Sequence, residues 1–177
     1  MTSQWEILDG LPVYGPMAEP FSATGQGTHR EGLVVRFSPP GGSWVGNFQR
    51  GLSSLDHVFD HPNGRDVVVV AGGTAYVVDA PSHHLVEHFG GQIVQIIPLS
   101  DSGPVLLGNG LWFTALDANG IAWRTRRISW DGFRRLSLVG TTLRGEAYAP
   151  FGEGTWHAFE LDTSTGAFTG GAYRGPE

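Results

Sequence analysis

The sequence contains no cysteine and no lysine among its 177 residues. Without cysteine, the chain has no disulfide, no thiolate nucleophile and no cysteine-ligated metal site. Its 11 basic residues are all arginines. Arginine suits the binding of carboxylates, but a GC-rich genome also favours arginine codons over lysine codons. Charged residues make up only 16% of the chain, against about 25% in an average soluble domain. This scarcity excludes a coiled coil.

The chain is also short of positive charge and of long apolar runs. Acidic residues outnumber basic ones by 17 to 11, which gives a net charge of −6. Bulk electrostatics therefore do not favour nucleic acid or an anionic membrane as a partner. No apolar run is long enough for a membrane-spanning helix, and the first residues lack the pattern of a signal peptide. We therefore expect a cytoplasmic, bacterial protein.

Glycine is the most unusual component that is present. The chain has 27 glycines and 11 prolines, a glycine share roughly twice the usual one. One or the other interrupts almost every helical window, so no helical periodicity is sustained. Apolar residues nevertheless make up 40% of the chain, which is enough for a core. We predict one turn-dense all-β domain over residues 1–177.

A hairpin pattern recurs about every forty residues, the spacing of a propeller blade. It occurs at residues 74–89, 111–123 and 156–169, with a degenerate copy at 32–48. Each hairpin has β-rich residues, a turn opened by Asp or Ser, and a second apolar strand. In such turns the Asp side chain accepts hydrogen bonds from N–H groups two residues on, and Gly supplies a positive φ.

A second strand pair precedes three of the four hairpins, so each of these units has four strands. The pattern predicts a propeller-like array of about four four-stranded antiparallel units over residues 32–171. A β-sandwich and a meandering β-barrel are the alternatives. The first unit lacks two strands, which Trp5–Leu8 and Pro20–Ala23 are able to supply. If they do not, an incomplete propeller would be closed by forming a homodimer.

The segment 1–31 is predicted to be mainly irregular. Structureless stretches of this length are usually functional or disordered. Its apolar residues Tyr14, Met17 and Phe21 favour packing of this segment against the body of the protein.

Two turns resemble those of a known repeat class. Residues 115–123 (Ala-Leu-Asp-Ala-Asn-Gly-Ile-Ala-Trp) resemble, in shortened form, the Ala-x-Asp-x-x-x-Gly-x-x-x-Trp hairpin of quinoprotein-type propeller repeats. Residues 161–166 (Leu-Asp-Thr-Ser-Thr-Gly) carry its Asp-x-x-Thr-Gly part, and Trp130-Asp131 is the dipeptide of WD repeats placed between units. The resemblance implies blades. It implies no cofactor, because quinones in that superfamily sit on the axis of larger rings.

The distribution of charge along the chain is most uneven between Trp123 and Arg135, where 13 residues include five arginines and one aspartate. Arginine interleaved with aromatic residues is typical of binding hot spots and also suits stacking on acidic groups. The alternative is an arginine-rich outer strand with tryptophan packed between blades. The candidate binding residues are Arg124, Arg126, Arg127, Trp130, Arg134 and Arg135, and the expected partner is a protein or a small ligand.

The seven histidines invite a metal hypothesis, because His57 and His61 are four residues apart, as are His84 and His88. In strands that spacing spans about 13 Å, too far to share one ion. We therefore expect no metal site. A small hydrolase or lyase would instead gather His57, Asp60, His61 and His84 at the mouth of a propeller.

The sequence does not pair a nucleophile with a base and an orienting acid, and its glycine loops fit no phosphate-binding motif. We therefore predict a non-enzymatic binding or interaction module without a cofactor. A toxin-neutralising immunity protein is one form that such a module takes. The small hydrolase or lyase is the alternative function.

Overall fold

The computed structural model describes residues 4–151 and 154–175. In this part of the chain all regular secondary structure is β, with sixteen strands. No helix among the described residues is long and apolar enough to cross a bilayer. The chain divides into two compact units, residues 1–93 and residues 94–177, and each contains two four-stranded sheets.

The first sheet of the first unit uses strands from the N-terminal segment. It consists of β1 (Trp5–Leu8), β2 (Glu19–Phe21), β3 (Leu33–Phe37) and β4 (Trp44–Phe48), in the order β1-β3-β4-β2. β1 and β3 are antiparallel, whereas β2 runs parallel to β4. The two strands missing from the first repeat are therefore supplied from residues 5–30, as the sequence allowed.

The second sheet of this unit is a simple meander. Its strands are β5 (His57–Asp60), β6 (Val67–Ala71), β7 (Thr74–Asp79) and β8 (His84–Gly90), in that order. The two central strands are buried along their whole length, and they contain the apolar runs 67–71 and 75–78. β8 alternates between exposed and half-buried residues, as expected for an edge strand with one face to solvent.

Aromatic side chains from both sheets form the core of the first unit. Phe37 stacks on Trp44 at 4.4 Å between ring centroids, and Phe21 stacks on Phe48 at 4.6 Å. Tyr76 of β7 meets Phe48 at 5.5 Å and donates a hydrogen bond to the carbonyl oxygen of Gln49. Phe21, which comes from the N-terminal segment, is thus part of this core.

Most of the N-terminal loop between β1 and β2 lies at the surface. Tyr14 and Met17 are 91% and 93% exposed. The buried Phe21 anchors the end of the segment, and Glu19 accepts a hydrogen bond from Nδ1 of His83 at 2.7 Å. The segment therefore reaches the core through its second strand.

The second unit contains two further antiparallel meanders. Strands β9 (Gln95–Pro98), β10 (Val105–Gly108), β11 (Phe113–Asp117) and β12 (Gly120–Arg124) form one sheet. Strands β13 (Phe133–Val139), β14 (Thr142–Ala149), β15 (Thr155–Asp162) and β16 (Phe168–Gly170) form the other. The prediction of an all-β protein with four four-stranded, mostly antiparallel units is confirmed, and the sheets are consistent with a propeller-like array.

Three phenylalanines from the two sheets meet in the core of the second unit. The ring centroids of Phe113 and Phe133 are 4.5 Å apart, and Phe159 lies 5.4 Å from Phe133. Ile128, in the segment that joins the two sheets, is fully buried in the same cluster. This connecting segment is therefore held by packing as firmly as the strands.

The turns of the second unit have the chemistry predicted from the sequence. The Asp117 carboxylate accepts a hydrogen bond from the N–H of Asn119, and the Asp162 carboxylate accepts one from the N–H of Ser164, each two residues on. Gly120 and Gly166 have φ values of 107° and 75°. Both aspartate-capped turns are thus confirmed.

The corresponding turn of the first unit departs from this pattern. His83, not a glycine, has the positive φ there, at 56°. Its ring stacks on Trp44 at 4.3 Å and hydrogen-bonds to Glu19. These contacts offset the strain of a left-handed non-glycine residue, which is of order 1–2 kcal/mol.

Candidate functional site

The second unit has a pocket of about 580 Å³, which is within the usual range for small-molecule sites. Three arginines and three aromatic residues make up most of its lining, namely Arg126, Arg127, Arg174, Trp112, Phe168 and Tyr173. No acidic residue is among the described residues that line it. The pocket therefore has a cationic and aromatic character.

Backbone hydrogen bonds bring the pieces of the pocket together. The segment after β12 is fixed to β11, because the N–H of Thr125 donates to the carbonyl of Phe113 while the Thr125 hydroxyl accepts from the N–H of Phe113. The N–H groups of Ala172 and Tyr173 both donate to the carbonyl of Ile128, at 2.8 and 3.0 Å. The C-terminal segment is therefore fastened beside the arginines.

Arg127 is held in the pocket by two backbone carbonyls and two aromatic rings. Its Nε donates to the carbonyl of Ser129 and its Nη2 to the carbonyl of Trp130, both at 2.9 Å. Its guanidinium carbon lies 4.9 Å from the Trp130 ring centroid and 4.6 Å from that of Tyr173. Since those centroids are 5.0 Å apart, the guanidinium rests against two adjacent rings. Its orientation is thus set before any ligand binds.

The other two arginines lie more openly at the pocket. Arg126 and Arg174 are exposed, and the Arg126 guanidinium lies 5.6 Å from the Phe168 ring centroid. Ligand carboxylates or phosphates would meet one guanidinium held by backbone carbonyls and two on exposed side chains. Arginine suits such oxyanions because its planar fork matches two oxygens at once.

The six candidate binding residues divide into two groups. Arg126 and Arg127 line the pocket, and Trp130 supports Arg127 from behind. Arg124 lies beside the pocket, with its guanidinium 6.0 Å from the ring centroid of Trp112. Two of the six candidates thus line the pocket, and two contact residues that line it.

Arg134 and Arg135 are occupied elsewhere. Both form ion pairs with Glu146, at 2.6 and 3.4 Å, and Arg134 is its direct cross-strand neighbour. The hydrogen bond from Arg134 holds the pKa of the Glu146 carboxyl below its usual value. Arg134 also covers the Trp156 ring at 4.3 Å. These two arginines are therefore engaged within the fourth sheet.

Apart from two glycines, four lining residues were not among the sequence candidates, namely Trp112, Phe168, Tyr173 and Arg174. They come from three separate stretches of the chain, and no local spacing connects them with Arg127. The one indication in the sequence was the repeat pattern, which placed residues 112 and 168 in strands but did not connect them with a pocket.

The histidine set of the alternative function is split within the second sheet. His57 and Asp60 lie on β5, whereas His84 lies on β8 at the opposite edge of the sheet. Three strand spacings separate these edges, about 14 Å. Asp60 accepts a hydrogen bond from Nε1 of Trp5, and His61 is buried in the turn after β5. The sheet does not bring His84 to the other three residues.

Residues 4–151 and 154–175 contain no group of three or more His, Asp or Glu side chains able to hold one ion. The catalytic role of His57, Asp60, His61 and His84 remains a prediction.

Together, the fold and the pocket define an all-β protein of four-stranded units with a cationic aromatic cavity. No family profile matches the chain, and no curated protein matches it. Among solved structures it is similar to one described as "Crystal structure of the eukaryotic initiation factor", at 12% identity and a TM-score of 0.41. The matched part covers 80% of this chain and 40% of that chain. The chain thus spans less than half of that protein, and this likeness carries no functional argument.

Proposed function

We propose that this chain is a non-enzymatic binding module that holds a negatively charged partner at the arginine–aromatic pocket. The observation that carries the proposal is the lining itself, which combines three guanidinium groups with three aromatic rings and has no acidic residue among those described. Arginine and aromatic residues are the types most enriched at energetically important binding sites.

The chemistry of the lining supports binding over catalysis. Arginine stays protonated at any physiological pH and so cannot accept or release a proton. Tyr173 is the one other ionisable side chain among the described lining residues. What these groups do well is to hold oxyanions and flat apolar surfaces.

A second part of the proposal concerns the class of repeat to which the four sheets belong. We propose that the four sheets are blades of the quinoprotein-like or WD-like kind. The capped turns at Asp117 and Asp162 support this, as does the packing of Trp123 from the third sheet against Gly166 of the fourth, where a Cβ atom would lie 2.7 Å from the indole. A toxin-neutralising role for such a module stays a prediction.

The test is capture by the purified protein. Wild-type chain and the double variant Arg126→Glu/Arg174→Glu are immobilised and exposed to an extract of the source cells. Bound proteins and bound small molecules are both identified by mass spectrometry. Both substituted residues are exposed, so we expect the fold to be retained and the captured partner to be lost.

The matched control is Arg30→Glu/Arg144→Glu, which changes the net charge by the same amount at exposed sites outside the pocket lining. A partner held by the control but not by the pocket variant supports the proposal. If wild type and pocket variant retain the same molecules in the same amounts, the pocket is not the binding site and the proposal fails.

A further inference from the structure

The chemistry of the pocket narrows the kind of ligand, on the basis of the proposed function. A guanidinium has five N–H donors, and Arg127 uses one at Ser129 and one at Trp130. The remaining donors of Arg127 have no hydrogen-bond partner among the described residues, and no described carboxylate pairs with it. This half-buried cation is therefore held in place, and no acidic group of residues 4–151 or 154–175 neutralises its charge.

The geometry of Arg127 determines how a ligand approaches it. The rings of Trp130 and Tyr173 lie against the guanidinium, and two backbone carbonyls occupy part of its edge. The free part of the edge presents N–H groups that lie in one plane. Carboxylate and phosphate oxygens match this arrangement, because two of them accept from a guanidinium side by side.

The remaining lining favours a flat apolar body attached to the oxyanion. Trp112, Phe168 and Tyr173 line the pocket together with the arginines. Aromatic rings of a ligand gain from offset or edge contacts with such side chains beyond simple burial. The cavity, at about 580 Å³, also has room for more than a bare anion.

We propose that the pocket binds a small organic molecule that contains both an oxyanion and an aromatic ring, with the acidic group at Arg127 and the ring against the aromatic lining. Arg126 and Arg174 hold a second acidic group of the ligand where it has one. The oxyanion is a carboxylate or a phosphate, since both fit the free edge of the guanidinium.

The experiment is isothermal titration calorimetry at low salt with five probes. Trimesate (benzene-1,3,5-tricarboxylate) carries its oxyanions directly on an aromatic ring, and AMP carries one joined to its purine ring through ribose. Citrate matches the charge of trimesate without a ring, inorganic phosphate lacks the ring of AMP, and adenosine lacks its phosphate. We expect trimesate or AMP to bind at least tenfold more tightly than its matched probes. The preference between trimesate and AMP identifies carboxylate or phosphate as the recognised group.

Three variants locate the binding within the pocket. Arg127→Met and Arg174→Met should each weaken the preferred aromatic anion, with the larger loss, tenfold or more, at Arg127. Arg174 is exposed, so its loss of binding is not explained by misfolding. Arg144→Met is the control, because Arg144 pairs with Glu160 on the fourth sheet outside the lining and should leave the affinity unchanged.

Several outcomes would overturn the inference. Citrate binding as tightly as trimesate shows that the ring is irrelevant, and adenosine binding as tightly as AMP shows that the oxyanion is irrelevant. If none of the five probes binds while the capture experiment still yields a partner that depends on Arg126 and Arg174, this inference fails and the binding module stands. If no probe binds and the capture experiment yields no partner that depends on Arg126 and Arg174, the proposed function is wrong as well.

Discussion

Packing between Trp123 and Gly166 provides a sharp test of how the third and fourth sheets are joined. Gly166 has a φ of 75°, and a Cβ atom there would lie 2.7 Å from Cε3 of Trp123. A Gly166→Ala substitution therefore meets two costs. The left-handed conformation costs about 1–2 kcal/mol for an L-residue, and overpacking adds about 1–3 kcal/mol. We expect the free energy of unfolding to fall by about 2–4 kcal/mol, once the gain from a less flexible unfolded chain is subtracted.

Gly140 offers a matched control for the backbone cost alone. It has a φ of 58°, and an added Cβ would meet nothing within 4 Å. Gly140→Ala should therefore lower the free energy of unfolding by only about 1 kcal/mol. Urea unfolding, followed by far-UV circular dichroism, measures both variants. If the two substitutions cost the same, the contact between the indole and the turn has no energetic weight and the reasoning is wrong.

A double-mutant cycle separates the clash from the backbone strain. Trp123→Ala removes the ring that an alanine at position 166 would strike. In this background Gly166→Ala should cost no more than Gly140→Ala does, so the coupling energy should equal the overpacking cost of about 1–3 kcal/mol. A coupling energy near zero would place the cost of Gly166→Ala entirely in its backbone.

Two further predictions concern stability. Ser129 is fully buried, and its hydroxyl donates to the carbonyl of Gly132 and accepts from the N–H of Tyr148. Ser129→Ala should therefore lower the free energy of unfolding by about 1–3 kcal/mol. The control Ser137→Ala, at an exposed position, should change it little, and equal urea midpoints for the two variants would contradict the prediction. The hydrogen bond from Ser164 lowers the pKa of Asp162 below its usual 3.8, so its stabilising effect is present above that value and is lost as the pH falls through the folded-state pKa. Asp162→Asn should thus lose less stability than wild type on acidification below about pH 4, and parallel unfolding curves against pH would refute it.

Local turn chemistry explains why so much of the fold was predictable. The Asp117 and Asp162 turns depend on a side chain and an N–H two residues away, so their sequences specify them directly. β1 was predictable as a strand from its own residues, whereas β2 begins one residue before the predicted strand Pro20–Ala23 and ends two residues before it does. The parallel pairing of β2 with β4 was not predictable, because it depends on where Phe21 finds its place in the core.

The pocket was predictable only in part, for a similar reason. Arg126 and Arg127 stand out locally through the density of arginine, and so did Arg134 and Arg135. The register of the fourth sheet separates them, because it sets Arg134 directly opposite Glu146. A sequence shows that arginines are close along the chain, but it does not show which of them acquire an acidic neighbour across a strand pair.

The site and the fold of the second unit share the same contacts around Ser129. Its carbonyl accepts from Nε of Arg127, while its hydroxyl fixes the carbonyl of Gly132 and the N–H of Tyr148. Orientation of the pocket cation therefore rests on the hydrogen bonds that join the connecting segment to the fourth sheet. Because a preformed cation loses less freedom when a ligand binds, the contacts that stabilise this segment would also favour affinity in the proposed binding module. The short irregular stretch between the third and fourth sheets thus contributes both to the fold of the second unit and to the proposed binding pocket.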